Sequence, residues 1–275
     1  MSRAAAEMRV GCVAYHPRIV TIWESFLDWF DAQGIATDYI LYSNYERQVS
    51  ALLDGEIDIA WNTNTAFVAA EQQLGGEARI LGMRDVDAQF ATVIVTRRGE
   101  TFDEVSGLAG RRLALGSRDS GHAAILPLHY LREQGLDAES ACELVRFDTD
   151  LGKHGDTGDS ELRVVRAVAD GSADAGALGE TTLAALRAER VPAVADLEVS
   201  WRSPTYYHCN FTALPSLQSD VADAWTAHLR AMDWTVPEQR RILELEGLRQ
   251  WVGPQLDGYR DVFDAVDEQG IAARW

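Results

Sequence analysis

The chain is 275 residues long, 47% hydrophobic and 25% charged, and its 43 acidic against 25 basic side chains leave a formal net charge of −18. That composition can fill two modest cores, while a pI near 4.6 offers no basic footprint for nucleic acid or an anionic membrane surface. Its three cysteines, Cys12, Cys142 and Cys209, have no CxxC spacing and cannot close a disulfide framework.

Residues 1–8 lack the apolar stretch of a secretory signal, and no run of about 18 apolar residues occurs. The expectation is a cytoplasmic chain without membrane insertion, periplasmic or extracellular only if a leader has been removed. Residues 10–15 read as a strand. Pro17 then opens a helix whose Ile19, Ile22, Phe26, Trp29 and Phe30 share a face, and Gly34 ends it. A strand over 37–42, a helix over about 45–54, a strand over 57–61 and a helix over about 64–73 come next, then strands at 78–83 and 90–96. This succession predicts an α/β class with a mostly parallel central sheet. The next elements are a strand at 112–115, a helix from Ser120 to about 134, a strand at 143–147, a helix at about 160–170 and a strand at 173–178. An aromatic stretch over 201–214 reads as the chain crossing back. Helices carry the rest, with Val221, Trp225 and Leu229 on one face. Short crossings near 96–98 and 198–204 are expected to be hinges.

One phrase occurs twice: Ala51-Leu-Leu-Asp-Gly-Glu-Ile-Asp-Ile-Ala60 and Ala167-Val-Ala-Asp-Gly-Ser-Ala-Asp-Ala-Gly176. Each reads as a helix end, a glycine in the left-handed conformation, and a short buried strand. Each strand runs into a polar cluster, Asn62-Thr-Asn-Thr65 or Glu180-Thr-Thr182. The copies are too far apart for tandem repeats. They predict two α/β lobes, about 1–96 with 200–275 and about 97–199. Ligands of open α/β sheets bind outside strand C-terminal ends, so the function is expected in a cleft between the lobes.

Leu108-Ala-Gly-Arg-Arg-Leu-Ala-Leu-Gly-Ser117, followed by Asp119-Ser-Gly121 and Leu126-Pro127, resembles the second-lobe opening of type 2 periplasmic-binding-protein folds. The branch it is most similar to is the phosphate/phosphite/phosphonate-binding family of ABC importers. Gly152-Lys-His154, Val168-Ala-Asp-Gly-Ser-Ala-Asp174 and Ser203-Pro204 occur there in the same order. The resemblance covers about residues 8–215 and implies a two-lobed Venus-flytrap fold. It implies ligand positions at Tyr42 or Tyr45 in the first lobe and at Ser120, His154 and Glu180 in the second. Where that family has a hydroxyl-rich triplet, this chain has Arg118-Asp119-Ser120, and the Asp119 carboxylate is expected to oppose a phosphate oxyanion.

Four of the six histidines fall in segments expected to line the cleft: His16, His122, His154 and His208. Histidine serves acid–base chemistry and metal ligation, so these four are the metal candidates, with a divalent metal left open as a cofactor. His129 and His228 lie within helices and read as structural. Cys209 beside His208 suggests a nucleophile and its base, but neighbours on an extended strand point to opposite faces. The base would then be another histidine. Cys12 and Cys142 read as strand core. Lys153, the only lysine, reads as either a surface residue or a countercharge for an anion. Asn62, Thr63, Asn64 and Thr65 combine amides and hydroxyls with a helix start, as polar ligand sites do, or else simply cap that helix. Tyr15, Trp61, Tyr206 and Tyr207 read as aromatic walls or as core.

The ligand-binding set is therefore His16, Tyr42, Asn62, Thr63, Asn64, Asp119, Ser120, His154, Glu180 and Tyr207. The catalytic candidates are His122, His154, Glu180, His208 and Cys209. Two functions compete. One is a solute-binding module for a small polar, oxygen-rich ligand, phosphonate-like among the candidate classes, with an ABC permease as partner if the chain is exported. The alternative is a cytosolic enzyme on the same fold, using histidines and carboxylates, with Cys209 or a metal, for acid–base or lyase chemistry.

Overall fold

The computed structural model describes residues 8–253 and 256–271. In chain order the first elements are β1 (Met8–Val13), α1 (Arg18–Ala32), β2 (Thr37–Tyr42), α2 (Tyr45–Leu53), β3 (Ile59–Asn62), α3 (Asn64–Gln73) and β4 (Arg79–Arg84). Then come β5 (Thr92–Arg97), β6 (Arg112–Leu115), α4 (Leu126–Glu133), α5 (Ala138–Ala141), β7 (Glu143–Arg146), α6 (Asp159–Ala169), β8 (Ala175–Gly179), α7 (Glu180–Ala188) and β9 (Leu197–Arg202). The chain ends with β10 (Asn210–Ala213), α8 (Ser219–Arg230), α9 (Pro237–Glu246), β11 (Trp251–Val252) and α10 (Arg260–Glu268). No helix among the described residues is long and apolar enough to cross a membrane.

Two compact units result. The first comprises residues 8–89 with 207–253 and 256–259. Its sheet has the order β11-β4-β10-β3-β1-β2. The pairs β1–β2 and β1–β3 are parallel, whereas β10 pairs antiparallel with both β3 and β4, and β11 antiparallel with β4. The core is aromatic. The helical spacing of α1 buries Ile19, Ile22, Phe26 and Phe30, and Phe30 stacks on Trp225 of α8 with ring centroids 4.9 Å apart. Phe211 of β10 meets the same indole edge-on at 5.0 Å, a geometry favoured by the aromatic quadrupole.

The second unit comprises residues 90–206 with 260–271, and its sheet has the order β7-β6-β8-β5-β9. Here β6–β7 and β6–β8 are parallel, while β5 is antiparallel to both neighbours. Alternation along β5 feeds two cores, Val93 and Val95 on the α6 face and Ile94 on the α4 face. The expectation of mostly parallel sheets is corrected by these pairings: both sheets are mixed, because β10 and β5 insert antiparallel beside β3 and β8. The segments read as hinges, 96–98 and 198–204, are instead largely strand, since β5 and β9 pair with each other. The unit boundaries fall at 89/90, 206/207 and 259/260. The C-terminal helix α10 belongs to the second unit rather than the first. Its Val262, Ala265 and Val266 are buried, Tyr130 Oη donates to Asp261 at 2.7 Å, and His129 Nδ1 lies 2.7 Å from Glu268. Residues 1–7 and 272–275, which also carried expectations, lie outside the described residues.

The repeated phrase has one job in both units. Gly55 and Gly171 adopt φ of 73° and 81°, the left-handed turn that glycine takes without strain. Three residues later an aspartate catches the neighbouring parallel strand, β1 in the first unit and β6 in the second. Asp58 Oδ2 accepts the Arg9 backbone N–H at 2.8 Å, and Asp174 Oδ2 accepts that of Arg112 at 2.9 Å. The same arginine side chains close the clamp: Arg9 Nη2 donates to the Gly55 carbonyl at 3.0 Å, and Arg112 Nη1 to that of Ser172 at 2.9 Å.

Hydrogen bonds from the Arg112 side chain and backbone hold the Asp174 carboxyl down at about 2. A depressed folded-state value means that this contribution is present above the ordinary carboxylate range and fades as pH falls toward 2. Asp174→Asn should cost about 1 kcal/mol at neutral pH, given the partial exposure of the pair. In denaturant melts, the gap between variant and parent should close between about pH 4 and pH 2. A gap that stays constant through that window would contradict the clamp.

Candidate functional site

In the second unit the ends of β6 and β8 open onto one edge of the sheet. Beyond β6 the chain reaches Ser120, whose hydroxyl accepts the Ala123 N–H at 3.2 Å and so caps the segment 121–125. Those five residues form a wide π-type turn before α4, not the regular helix the sequence suggests. The widening directs carbonyls outward. That of His122 accepts Thr92 Oγ1 at 2.7 Å, and that of Ile125 accepts Gln269 Nε2 at 2.9 Å. Such turns recur at functional sites.

The buried His122 imidazole lies against Phe90, with Nε2 3.2 Å from Glu161 Oε2. Glu161, in the first turn of α6, also accepts the Gly179 N–H at 2.7 Å and Thr182 Oγ1 at 3.0 Å. It thereby ties His122 to the end of β8. Burial alone would pull the imidazole down, but the Glu161 charge and hydrogen bond, supported by Asp156 and Asp150, outweigh it and set its pKa above the ordinary value.

His154 is buried in the loop after β7 and takes a left-handed φ of 55°, between Gly152 and Gly155 at 80° and 89°. A Cβ on Gly155 would stand 2.7 Å from Ser120 Oγ and 3.2 Å from His122 Nε2. Only glycine lets this backbone press so closely on the two side chains. Asp119, expected to oppose an oxyanion, turns Oδ2 to the loop and accepts the Gly152 N–H at 2.5 Å. Lys153 is half-buried, and burial lowers its pKa. Glu180 starts α7 but is gripped by Arg202 through two 2.8 Å hydrogen bonds, which hold its carboxyl below the usual range.

In the first unit the polar cluster after β3 is spent internally. Gln48 Nε2 donates to Asn62 Oδ1 at 2.8 Å, Asn62 Nδ2 to Thr212 Oγ1 at 3.0 Å, and Thr212 Oγ1 to Asn210 Oδ1 at 2.6 Å. Asn210 Nδ2 then donates to Tyr259 Oη at 2.8 Å, and that hydroxyl to the His208 carbonyl at 3.3 Å. Thr63 caps α3 by accepting the Ala66 N–H, and Asn64 donates to the Tyr207 carbonyl at 3.2 Å. Tyr42 is half-buried against Gly11, and Tyr45 is fully buried. Trp61 and Tyr206 are core residues, and Tyr207 meets Tyr259 edge-on at 5.4 Å. His16 is exposed and accepts the Arg18 N–H at 3.1 Å. Neither His16 nor His122 joins a group of three metal-ligating side chains among the described residues. The His228 carbonyl accepts Trp29 Nε1.

Two cysteine expectations are corrected. Cys142 precedes β7 rather than lying in it, with Sγ 3.3 Å from the Leu108 carbonyl. Cys209 Sγ sits 2.9 Å from Nδ1 of its own neighbour His208. The segment 207–209 is not strand, so adjacent side chains are free to turn to one side. Sequence reasoning missed Glu161 and Asp87. Each is an acid in a first helical turn, and nothing local marks its distant histidine partner.

A family model for the periplasmic substrate-binding protein of phosphonate ABC transporters matches residues 13–259. Among solved structures the chain is similar to PhnD1 from Prochlorococcus marinus in complex with methylphosphonate, at 18% identity and a TM-score of 0.76 over 96% of this chain and 98% of that one. It is also similar to XAC2383 from Xanthomonas citri bound to ATP (18%, 0.73, 98% of each chain) and to the aliphatic sulphonate binding protein SsuA from Escherichia coli (14%, 0.62, 97% and 93%). At these identities the likeness shows the fold, two-lobed and α/β. No curated protein matches the sequence.

The His122–Glu161 pair gives a direct test. Because its folded-state pKa is raised, His122 contributes stability below about pH 6.5, lost as pH rises through the folded value. NMR titration of the imidazole should place its midpoint above the ordinary value in the parent. In Glu161→Gln the midpoint should fall, since the largest contribution opposing burial is then lost. A midpoint indifferent to that substitution would contradict the assignment.

Proposed function

This chain belongs to the phosphonate-binding family, the periplasmic substrate-binding proteins of ABC transporters, and from that premise we propose that it binds a small oxyanion of the phosphonate class at Ser120 and His122. The observation that carries the proposal is the convergence of the Ser120 hydroxyl, the His122 imidazole and the Gly155 backbone at the start of one helical segment. In a chain with a formal charge of −18, an anion needs local positive potential. The dipole of backbone N–H groups at a helix start supplies part of it, and an imidazolium adds to it. While Ser120 Oγ accepts from the backbone, its own proton remains available to a ligand oxygen. His154 and Asp119 then act through the loop, fixing where Gly155 lies.

Members of the family are periplasmic and work with a membrane permease. The cytoplasmic placement expected from the sequence has no support there. An enzyme on the same fold is not favoured: the Glu180 carboxylate is occupied by Arg202, and His208 and Cys209 belong to the other unit.

Calorimetric titration with methylphosphonate, inorganic phosphate and an aliphatic sulphonate tests the reading. Methylphosphonate is expected to bind, and Ser120→Ala should weaken it by roughly 10- to 150-fold, the loss of about 1.5–3 kcal/mol for a hydrogen bond to a charged group. Melting curves report whether the variant remains folded. Binding of none of the three anions, or an unchanged affinity in the folded variant, would refute the proposal.

A further inference from the structure

The oxyanion site leaves unused a group of metal-ligating side chains at the edge of the first unit's sheet. Asp87 lies in a short 3-10 turn, Asp85–Gln89, that follows β4, and His208 and Cys209 immediately precede β10. All three are buried, and their donor atoms lie within 4.8 Å of one another. Cys209 Sγ is 2.9 Å from His208 Nδ1, which is 3.4 Å from Asp87 Oδ1. We propose that Asp87, His208 and Cys209 form a binding site for a divalent transition metal of the zinc class.

The donor set decides the class. One thiolate, one imidazole and one carboxylate suit zinc, whereas magnesium and calcium take oxygen ligands. Zinc–ligand lengths of about 2.0–2.3 Å in a tetrahedron put neighbouring donors roughly 3.3–3.6 Å apart. The Nδ1–Oδ1 separation already matches, and the Sγ–Nδ1 edge must open by about half an ångström to reach it. The surroundings hold the donors in place. The His208 N–H donates to the Asp87 carbonyl at 3.0 Å, fixing the two segments against each other, and Tyr259 Oη donates to the His208 carbonyl.

An outer group orients the carboxylate, as metal sites require. Arg84 Nε donates to Asp87 Oδ2 at 2.6 Å and Nη2 to Oδ1 at 2.9 Å. Its guanidinium lies 5.4 Å from the Trp61 ring centroid and 3.5 Å from Glu246. The charges balance: thiolate and carboxylate neutralise the dication, and Arg84 offsets Glu246. Binding releases the Cys209 thiol proton, with His208 ligating as the neutral imidazole through Nδ1. Three protein ligands leave a fourth position for water or a small anion.

The full chain, stripped with a chelator, should take up one equivalent of cobalt(II) with a thiolate-to-metal charge-transfer band and intense tetrahedral d–d bands, all displaced by zinc. Cys209→Ser should abolish the charge-transfer band and weaken zinc binding by more than the roughly 10- to 100-fold that loss of an outer-shell partner costs, whereas Cys12→Ser and Cys142→Ser leave both unchanged. No band in the parent, or a band that survives Cys209→Ser, would overturn the proposal. Should Cys209→Ser fail to fold, cadmium NMR of the unmodified chain decides. A resonance shifted as for one sulfur with nitrogen and oxygen supports the site, and an oxygen-only shift or no bound resonance overturns it.

Discussion

In each unit a single aspartate sets the register on which the functional edge depends. Asp58 and Asp174 each accept the backbone N–H of an arginine in the adjacent parallel strand, β1 or β6, and donate their own N–H back to that arginine's carbonyl. The parallel ladders Val10↔Ile59 and Leu113↔Ala175 begin one residue further on. A slip by one residue would turn every side chain to the opposite face, and with it the polar groups beyond the strand ends. The left-handed glycine three residues earlier delivers the aspartate to that position. The two arginines fasten the turn as well as the strand, so helix end, turn and ladder are fixed together.

From this common plan the units diverge in how they use their polar edge. The first closes it into a chain of hydrogen bonds from Gln48 through Asn62, Thr212, Asn210 and Tyr259 to the His208 carbonyl. The four residues between its ends each donate and accept, which strengthens the series in a dry interior. The second unit instead gathers Ser120, His122 and a glycine-lined loop at one helix start. Its charged side chains are mostly paired with one another, as Glu161 is with His122 and Glu180 with Arg202. A ligand meets there a hydroxyl, an imidazole held by Glu161 and backbone N–H groups, the chemistry by which an acidic protein attracts an anion without a cluster of lysines.

The sequence disclosed what is local and hid what is distant. Gly55 and Gly171 were legible because a left-handed turn at a helix end has a compositional mark, and Ser120 because a cap precedes its helix. The antiparallel insertion of β5 and β10 was not legible, since an apolar segment reads the same in either direction. The allegiance of α10 rests on Tyr130 and His129, more than one hundred residues away in sequence. The π-type turn at 121–125 depends on Thr92 and Gln269 capturing its carbonyls, and neither is near it in the chain. Asn62 looked like a ligand group because an amide at a strand end is chemically suited to bind; Gln48 and Thr212, which occupy it, could be found only in three dimensions. A strand would set Cys209 and His208 on opposite faces, and only the irregular backbone over 207–209 brings them together.

Amide NMR of the full chain titrated with methylphosphonate reads whether the edge around Ser120 and His122 receives an oxyanion. The largest saturable shifts should fall at the backbone N–H groups of residues 120–123 and of Gly155. Saturable shifts confined to other segments, with these amides unmoved, would contradict oxyanion binding there.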